Sequence, residues 1–314
     1  MLVSSRHMML ASPVFRAMLD GNFKEGCDLT SNGKVQVPLP DDDPEAFAIV
    51  LDIIHGHNRR VPREVELELL TEISILVDKY QIYEAVEFFA ESWIEGLNFS
   101  LPRDYWREKK DVHTWIAISW VFDHSSEFKS MTKLTGRATC AGLVDDVDDR
   151  LPFPTSILES IEHQREKALQ AAYSFIDDTI SAYQGTKLLC PSPVGFFQAN
   201  QIRCPSHEAS RVACDSMVLG SLLKSLVKGG VWPAPTSPYK HETLDDLCDS
   251  IRCLNLVSLC DQLQPPKKSS YPPVGECHGL SAKLRENVEK QRERISGLDL
   301  QNFKKATGGS SVGN

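Results

Sequence analysis

Hydrophobic positions in the first hundred residues recur mainly with a helical period. Ser4 or Ser5 can cap a short helix, and Pro13 suits the first turn of a second helix that ends near Met18. Asp43 and Pro44 begin a third helix, whose apolar positions Phe47, Val50, Leu51 and Ile54 share one face. Two further apolar stripes predict helices over 69–80 and 82–93, and the short link between them favours an antiparallel pair.

One stretch of this region has a different period. Val35, Val37 and Leu39 alternate with polar residues and prolines, after a loop of polar residues, and this pattern predicts a β-strand. Pro38 has no N–H to donate, which places the strand at the edge of a sheet.

Helical patterns also dominate residues 100–303. A long helix is predicted from Pro154 to near Tyr183, and because Arg165 interrupts its apolar stripe, packing within a domain is favoured over a self-associating coiled coil. Shorter helices are predicted over 215–228, 244–254 and 280–295, and a linker over 265–273. An aromatic cluster precedes the long helix, and it is interpreted as core, with a partner-binding patch as the alternative: Tyr105, Trp106, Trp115 and Trp120.

Composition narrows the class of protein. The chain has 314 residues, 41% hydrophobic and 25% charged, which is typical of about two globular domains. No apolar run of about 18 residues exists, so no membrane partner is expected. Nine cysteines without a secretory signal predict reduced thiols and a cytoplasmic or nuclear protein.

Charge is unevenly distributed along the chain. Residues 1–99 hold 8 Lys and Arg against 17 Asp and Glu, a net charge of −9, whereas the remaining residues hold 26 of each. Nucleic-acid binding requires a basic face, so no nucleic-acid partner is expected.

Three stretches in this order resemble a BTB/POZ domain of the fungal type: SSRHMMLASPVFRAML, VPLPDDDPEAFAIVLDIIHG and LLTEISILVDKYQIYEAVEFF. The resemblance covers residues 1 to about 96. It implies an α+β interaction domain over 1–99 with a small residual sheet, and hence a mostly α protein. An all-α domain is then expected over 100–303 and a disordered tail over 304–314. The later stretches CDSMVLGSLLKSL, VWPAPTSPY and ISGLDLQNF are similar to the C-terminal extension of the same fungal proteins, which suggests no activity.

Two departures from the BTB pattern affect the expected partners. In the family a β-hairpin precedes the first helix, but this chain starts at Met1, almost at that helix. The domain is therefore expected to lack its first strand and most of its second, and self-association through the first strand is in question. The motif that BTB adaptors of cullin ubiquitin ligases carry has an apolar residue at Phe47 but Ile49 where a Glu is usual. This argues against a cullin partner.

No catalytic motif is present: GxSxG, the P-loop, GxGxxG and HExxH are all missing, so no enzyme, catalytic residue or cofactor is predicted. The leading hypothesis is a non-enzymatic adaptor or scaffold that binds protein partners through its BTB-like domain. A cullin adaptor and a zinc-stabilised regulatory protein are the alternatives.

The zinc alternative rests on cysteines and histidines in irregular segments. Cys204 and His207 have ligand-like spacing, but no CxxC pair is present and several sets of four ligands are equally compatible with the sequence. Ordinary buried or reactive thiols are therefore the favoured interpretation. Cys248, Cys253 and Cys260 are interpreted as small core residues. The candidate zinc ligands are Cys190, Cys204, His207, Cys214, Cys277 and His278.

Overall fold

The computed structural model describes residues 1–21, 23–192, 206–262 and 277–308. These residues are mostly helical, which confirms the mostly α fold class. The predicted small sheet is not found among them, and the strand prediction over 35–39 is therefore wrong. The physical reason is that a ladder needs a second strand, and no backbone hydrogen bond joins residues 34–39 to any other described residue.

The chain forms two compact units, which are described separately. Unit 1 comprises Met1–Thr135, Val144–Ile161 and Gly297–Asn314, and unit 2 comprises Gly136–Leu143 and Glu162–Ser296. The predicted domain boundary between residues 99 and 100 is based on charge and resemblance, and it stays a prediction.

Most of the N-terminal helices lie where the sequence places them. Ser12 caps the helix Pro13–Leu19, where its hydroxyl accepts a hydrogen bond from the Phe15 N–H and donates one to the Tyr80 carbonyl at 2.6 Å. Asp43 caps the helix Pro44–Ile54 with a 2.8 Å bond from the Ala46 N–H. The helices of this part are α1 (Ser5–Ala11), α2 (Pro13–Leu19), α3 (Lys24–Asn32), α4 (Pro44–Ile54), α5 (Leu67–Tyr80), α6 (Tyr83–Leu97) and α7 (Lys109–Val121).

The helices that follow are α8 (Ser125–Ala138), α9 (Leu143–Asp146) and α10 (Thr155–Gln184). Within unit 1, α5 packs against α4, α6 and α7, and the side chains of Trp93 and Trp115 are almost fully buried. The chain returns to this unit with α15 (Leu300–Gly308), before which the Leu298 N–H donates to the Thr132 hydroxyl at 2.9 Å. Residues 304–308, which were expected to belong to a disordered tail, lie in this helix. Residues 309–314 of the expected tail lie outside the described residues.

Unit 2 is built from most of α10 together with α11 (His207–Lys228), α12 (Leu244–Arg252), α13 (Leu259–Gln262) and α14 (Leu280–Arg294). One apolar core joins the facing sides of α10, α11, α12 and α14, with Leu169, Leu222, Ile251 and Leu284 fully buried. Arg165 is also buried, at 1% exposure, and its guanidinium donates to the carbonyls of Pro238, Tyr239 and Glu242. Across the described residues, no helix is long and apolar enough to cross a membrane.

Candidate functional site

Three cysteines and one histidine of unit 2 converge on a single point: Cys190, Cys214, Cys260 and His278. Their sulfur and imidazole nitrogen atoms all lie within 4.8 Å of one another. The Cys214 sulfur is 3.6 Å from the Cys260 sulfur and 3.4 Å from Nε2 of His278. The cysteines are free thiols, because a disulfide would bring two sulfurs to about 2.05 Å.

Burial sets the chemistry of this cluster. Cys190, Cys214 and Cys260 are 0% exposed, and the side chain of His278 is 0% exposed. Burial, as the largest cause, raises the pKa of the Cys214 thiol far above its ordinary value, because a thiolate without a cation is poorly solvated there. Soft thiolates and an imidazole at one point are the ligands that bind zinc or similar soft metals.

His278 is held with one nitrogen facing the cysteines. Its Nδ1 lies 2.9 Å from the Tyr183 hydroxyl, at the C-terminal end of α10, and 3.9 Å from Oδ1 of Asp215. That carboxylate oxygen is buried and has no hydrogen-bond partner among the described residues. With the proton on Nδ1, the lone pair of Nε2 is directed at the cysteine side, which is the usual arrangement of a metal-binding histidine beside a carboxylate.

The backbone around the cluster is fixed by charged side chains. The Arg211 guanidinium donates to the Cys190 carbonyl from Nε at 2.9 Å and from its NH2 group at 2.6 Å. The other carboxylate oxygen of Asp215 accepts the Leu189 N–H at 2.8 Å, and Asp261 accepts the Cys277 N–H at 2.6 Å. The chain segments that carry Cys190 and His278 are thereby attached to α11 and α13 respectively.

The structure brings together three of the six cysteine and histidine candidates. Cys190, Cys214 and His278 belong to the cluster, whereas Cys204 lies outside the described residues. His207 is the first residue of α11 and is not one of the four. Cys277 lies within 4.8 Å of Cys260 and Asp261 in a second, less buried group.

One cysteine differs from the sequence interpretation. Cys260 is a buried core residue, as predicted, and it also belongs to the four-residue cluster. Cys253 was also assigned to the core, but it is exposed because it lies at the C-cap of α12, where the helix face no longer continues. Cys248 is a core residue as predicted, packed with Leu247 and Ile251. No signal in the sequence distinguishes Cys260, which belongs to the cluster, from a core thiol such as Cys248.

Residues 34–39 of unit 1 form a second notable surface. Val35, Val37 and Leu39 are half-buried, while the residues between them are exposed, and this two-residue period is that of an extended chain. The segment borders a cleft of about 640 Å³, whose other walls include the N-terminal residues 1–3 and apolar side chains of α1, α2 and α4, among them Met8 and Phe15. No N–H or C=O of the segment is hydrogen-bonded to any described residue.

The aromatic residues of the sequence analysis are divided between core and surface. Tyr105, Trp115 and Trp120 are buried within unit 1, whereas Trp106 is 58% exposed. Phe47 is half-buried and contacts the rings of Phe15 and Tyr80 at the edge of the 640 Å³ cleft.

Comparisons with known proteins give no relative: no family model, no curated protein and no solved structure matches this chain.

Proposed function

We propose that this chain is a non-enzymatic adaptor that binds a partner protein, and that unit 1 holds an extended segment of the partner along residues 34–39. The observation that carries the proposal is the unpaired backbone of residues 34–39, whose alternate side chains already face an apolar cleft. A row of unpaired backbone N–H and C=O groups on an extended segment is a template for pairing with a further strand.

Addition of a partner strand accounts for two features of residues 34–39: the unpaired backbone and the alternating burial of the side chains. Backbone hydrogen bonds supply affinity in this mode of recognition, and pockets for alternate side chains supply specificity. In an extended chain the backbone groups of successive residues point to opposite edges, so one partner strand pairs with alternate residues. On the edge that Lys34, Gln36 and Pro38 share, the first two residues offer a backbone N–H and Pro38 offers none. The proposed pairing is therefore at Lys34 and Gln36.

Charge indicates the chemistry of the partner. Asp41, Asp42 and Asp43 follow the segment directly, and residues 1–99 as a whole carry a net charge of −9. Asp42 is already engaged by Lys79 at 2.6 Å and by the Tyr80 hydroxyl. Asp41 is exposed, so the preferred partner segment alternates apolar residues and carries Lys or Arg at the end that lies beside Asp41.

The resemblance of residues 1–96 to a BTB/POZ domain supports the same function, because BTB domains are protein-interaction modules. A cytoplasmic or nuclear location is part of this proposal. The hypothesis of a cullin adaptor stays a prediction, and Ile49 argues against it because a Glu is usual at that position. A binding assay of wild type and Ile49→Glu with a cullin N-terminal domain tests it.

Peptide display tests the proposal with the full chain. Selection from a library of random 12-residue peptides is expected to yield sequences with alternating apolar residues and a basic end. Gln36→Pro removes one exposed backbone N–H and is expected to weaken the selected peptides about tenfold or more. Gln36→Ala keeps that N–H and is the matched control, with an expected change below about twofold.

Three results would contradict the proposal. Selected peptides could bind Gln36→Pro as tightly as wild type, with circular dichroism unchanged. Selection could yield no alternating sequences at all. Light scattering could show a dimer that Gln36→Pro dissociates, which would make a second copy, and not a partner, the occupant of residues 34–39.

A further inference from the structure

We propose that Cys190, Cys214, Cys260 and His278 bind one Zn²⁺ in a tetrahedral structural site inside unit 2. This inference does not depend on the proposed function, because all four residues lie in unit 2 and residues 34–39 lie in unit 1.

The distances between the four side chains fit a zinc ion. With Zn–S bonds of about 2.3 Å and a Zn–N bond of about 2.05 Å, tetrahedral geometry separates two sulfurs by about 3.8 Å and a sulfur from the nitrogen by about 3.6 Å. The Cys214 and Cys260 sulfurs are 3.6 Å apart, and the Cys214 sulfur is 3.4 Å from Nε2 of His278. Chance packing of thiols does not require all four ligand atoms to lie within 4.8 Å of one another, whereas a shared ion does.

The surroundings complete a metal site. The unpartnered buried oxygen of Asp215 and the Tyr183 hydroxyl both lie on the Nδ1 side of His278, where metal-binding histidines have their supporting groups. The Ser258 hydroxyl lies 3.3 Å from the Cys260 sulfur and the Ser192 hydroxyl 3.4 Å from the Cys190 sulfur. Three thiolates around Zn²⁺ leave one negative charge, and these hydroxyls and the nearby Arg211 guanidinium can offset it.

The number and burial of the ligands indicate a structural and not a catalytic zinc. Catalytic sites keep one coordination position for water, but here four protein ligands fill the tetrahedron and none of the cysteines is exposed. Thiolate and imidazole ligands exclude Mg²⁺ and Ca²⁺, which prefer oxygen.

The ion would join parts of the chain that are distant in sequence. Cys190 precedes α11, Cys214 lies within it, Cys260 lies in the short α13, and His278 precedes α14. An α13 of only 4 residues cannot be stable alone, so a metal bond at Cys260 would hold it in place. Zinc would thus connect the segment before α11 and the segment before α14 to α11 and α13.

Metal analysis of the purified full chain is the first test. About one equivalent of zinc per chain is expected after expression in zinc-containing medium and extensive dialysis. Cys214→Ser and His278→Ala are expected to reduce it below about one tenth of an equivalent. Cys253→Ser is the matched control, because Cys253 is an exposed cysteine of the same unit and its loss should leave the zinc content unchanged.

Cobalt substitution is measured on the wild-type protein, so its result does not depend on whether the ligand variants fold. Wild-type protein refolded with Co²⁺ is expected to show the intense visible absorption of tetrahedral cobalt and the near-ultraviolet band of thiolate coordination, and added Zn²⁺ should abolish both. Cys277→Ser should give the same spectrum, because Cys277 is assigned to the second group and not to the metal.

Several results would overturn the inference. Wild-type protein that holds less than about one tenth of an equivalent of zinc and gives no tetrahedral cobalt spectrum would do so. A peptide map showing a Cys214–Cys260 disulfide in freshly purified, metal-free protein would also do so. Full zinc content in both Cys214→Ser and His278→Ala, or copper in place of zinc, would refute the assigned ligands or the assigned metal.

Discussion

Arg165 is the residue whose replacement is expected to destabilise unit 2 through a single, identifiable set of contacts. Its side chain is 1% exposed, and its guanidinium donates three hydrogen bonds to backbone carbonyls, at 3.3 Å to Tyr239, 3.1 Å to Glu242 and 2.8 Å to Pro238. Burial, as the largest cause, lowers the pKa of the guanidinium, while the charges of Glu162 and Glu166 act on it in the opposite direction. All three of its hydrogen bonds go to carbonyl dipoles of the chain segment between α11 and α12.

Arg165→Met keeps an apolar stem of similar length and removes all three bonds. Hydrogen bonds to a charged group contribute about 1.5–3 kcal/mol each, so their gross loss is roughly 4–9 kcal/mol. Removing the buried charge returns several kcal/mol of desolvation cost, which leaves an expected net loss of about 3–5 kcal/mol in the free energy of unfolding of unit 2. Arg165→Lys retains the charge but cannot reach three carbonyls at once, and an intermediate loss is expected.

Native-state hydrogen exchange is the appropriate assay, because it assigns the loss to a segment. Residues 229–243 should lose protection first and most strongly in Arg165→Met. Lys167→Met is the matched control, since Lys167 is an exposed cation two positions further along α10. The reasoning is refuted if exchange over residues 229–243 in Arg165→Met equals that of Lys167→Met, or if urea unfolding shows no difference between the two variants.

Two further predictions concern unit 1. Burial, and to a smaller extent Lys109, lowers the pKa of His113 from 6.5 to about 4, so the unfolded chain takes up a proton well before the folded chain does. Unit 1 should therefore lose up to about 3 kcal/mol of stability as the pH falls from 7 to 4, and urea melts of His113→Gln should lack this part of the slope; identical slopes would contradict it. Gly297 has φ +88°, and a Cβ there would lie 2.0 Å from the Lys129 carbonyl oxygen, so Gly297→Ala should cost about 2 kcal/mol or more. Gly96 lies in α6 with open space around its Cβ position, so Gly96→Ala should raise the free energy of unfolding by about 0.5–1 kcal/mol. Equal shifts of the melting temperature in Gly297→Ala and Gly96→Ala would contradict this prediction.

Local signals in the sequence are sufficient to predict the helices that have capping residues and wide apolar stripes. The Asp43 cap with Pro44 at the first turn, and the stripes of α5 and α6, correspond closely to the observed elements. By contrast, the sequences of α3 and α8, KEGCDLTSN and SSEFKSMTKLTGRA, are rich in polar residues. The first predicts a polar loop, and the second predicts no helix. Helices of this kind depend on packing that involves the rest of the unit, which a local pattern does not reveal.

The sequence identifies the members of the cluster only in part, for a related reason. It favours ordinary thiols over zinc, and although Cys190, Cys214 and His278 are among the zinc candidates, many sets of four stay open. Cys214 and Cys260 are 46 residues apart, and Cys260 and His278 come from different segments. Sequence spacing identifies a metal site when the ligands lie on one turn or hairpin, and it cannot do so when the fold itself assembles them.

The return of the chain to unit 1 has a consequence for its synthesis. The Thr132 hydroxyl accepts a hydrogen bond from the Leu298 N–H, and Nζ of Lys304 lies 4.8 Å from the centre of the Trp120 ring. Residues 297–308 are therefore part of the same unit as α7 and most of α8. On the ribosome, residues 136–143 and 162–296 of unit 2 emerge before these contacts can form. Unit 2 can therefore fold while unit 1 is still incomplete, and nascent chains stalled before residue 297 should expose the surface around Trp120 to chaperones.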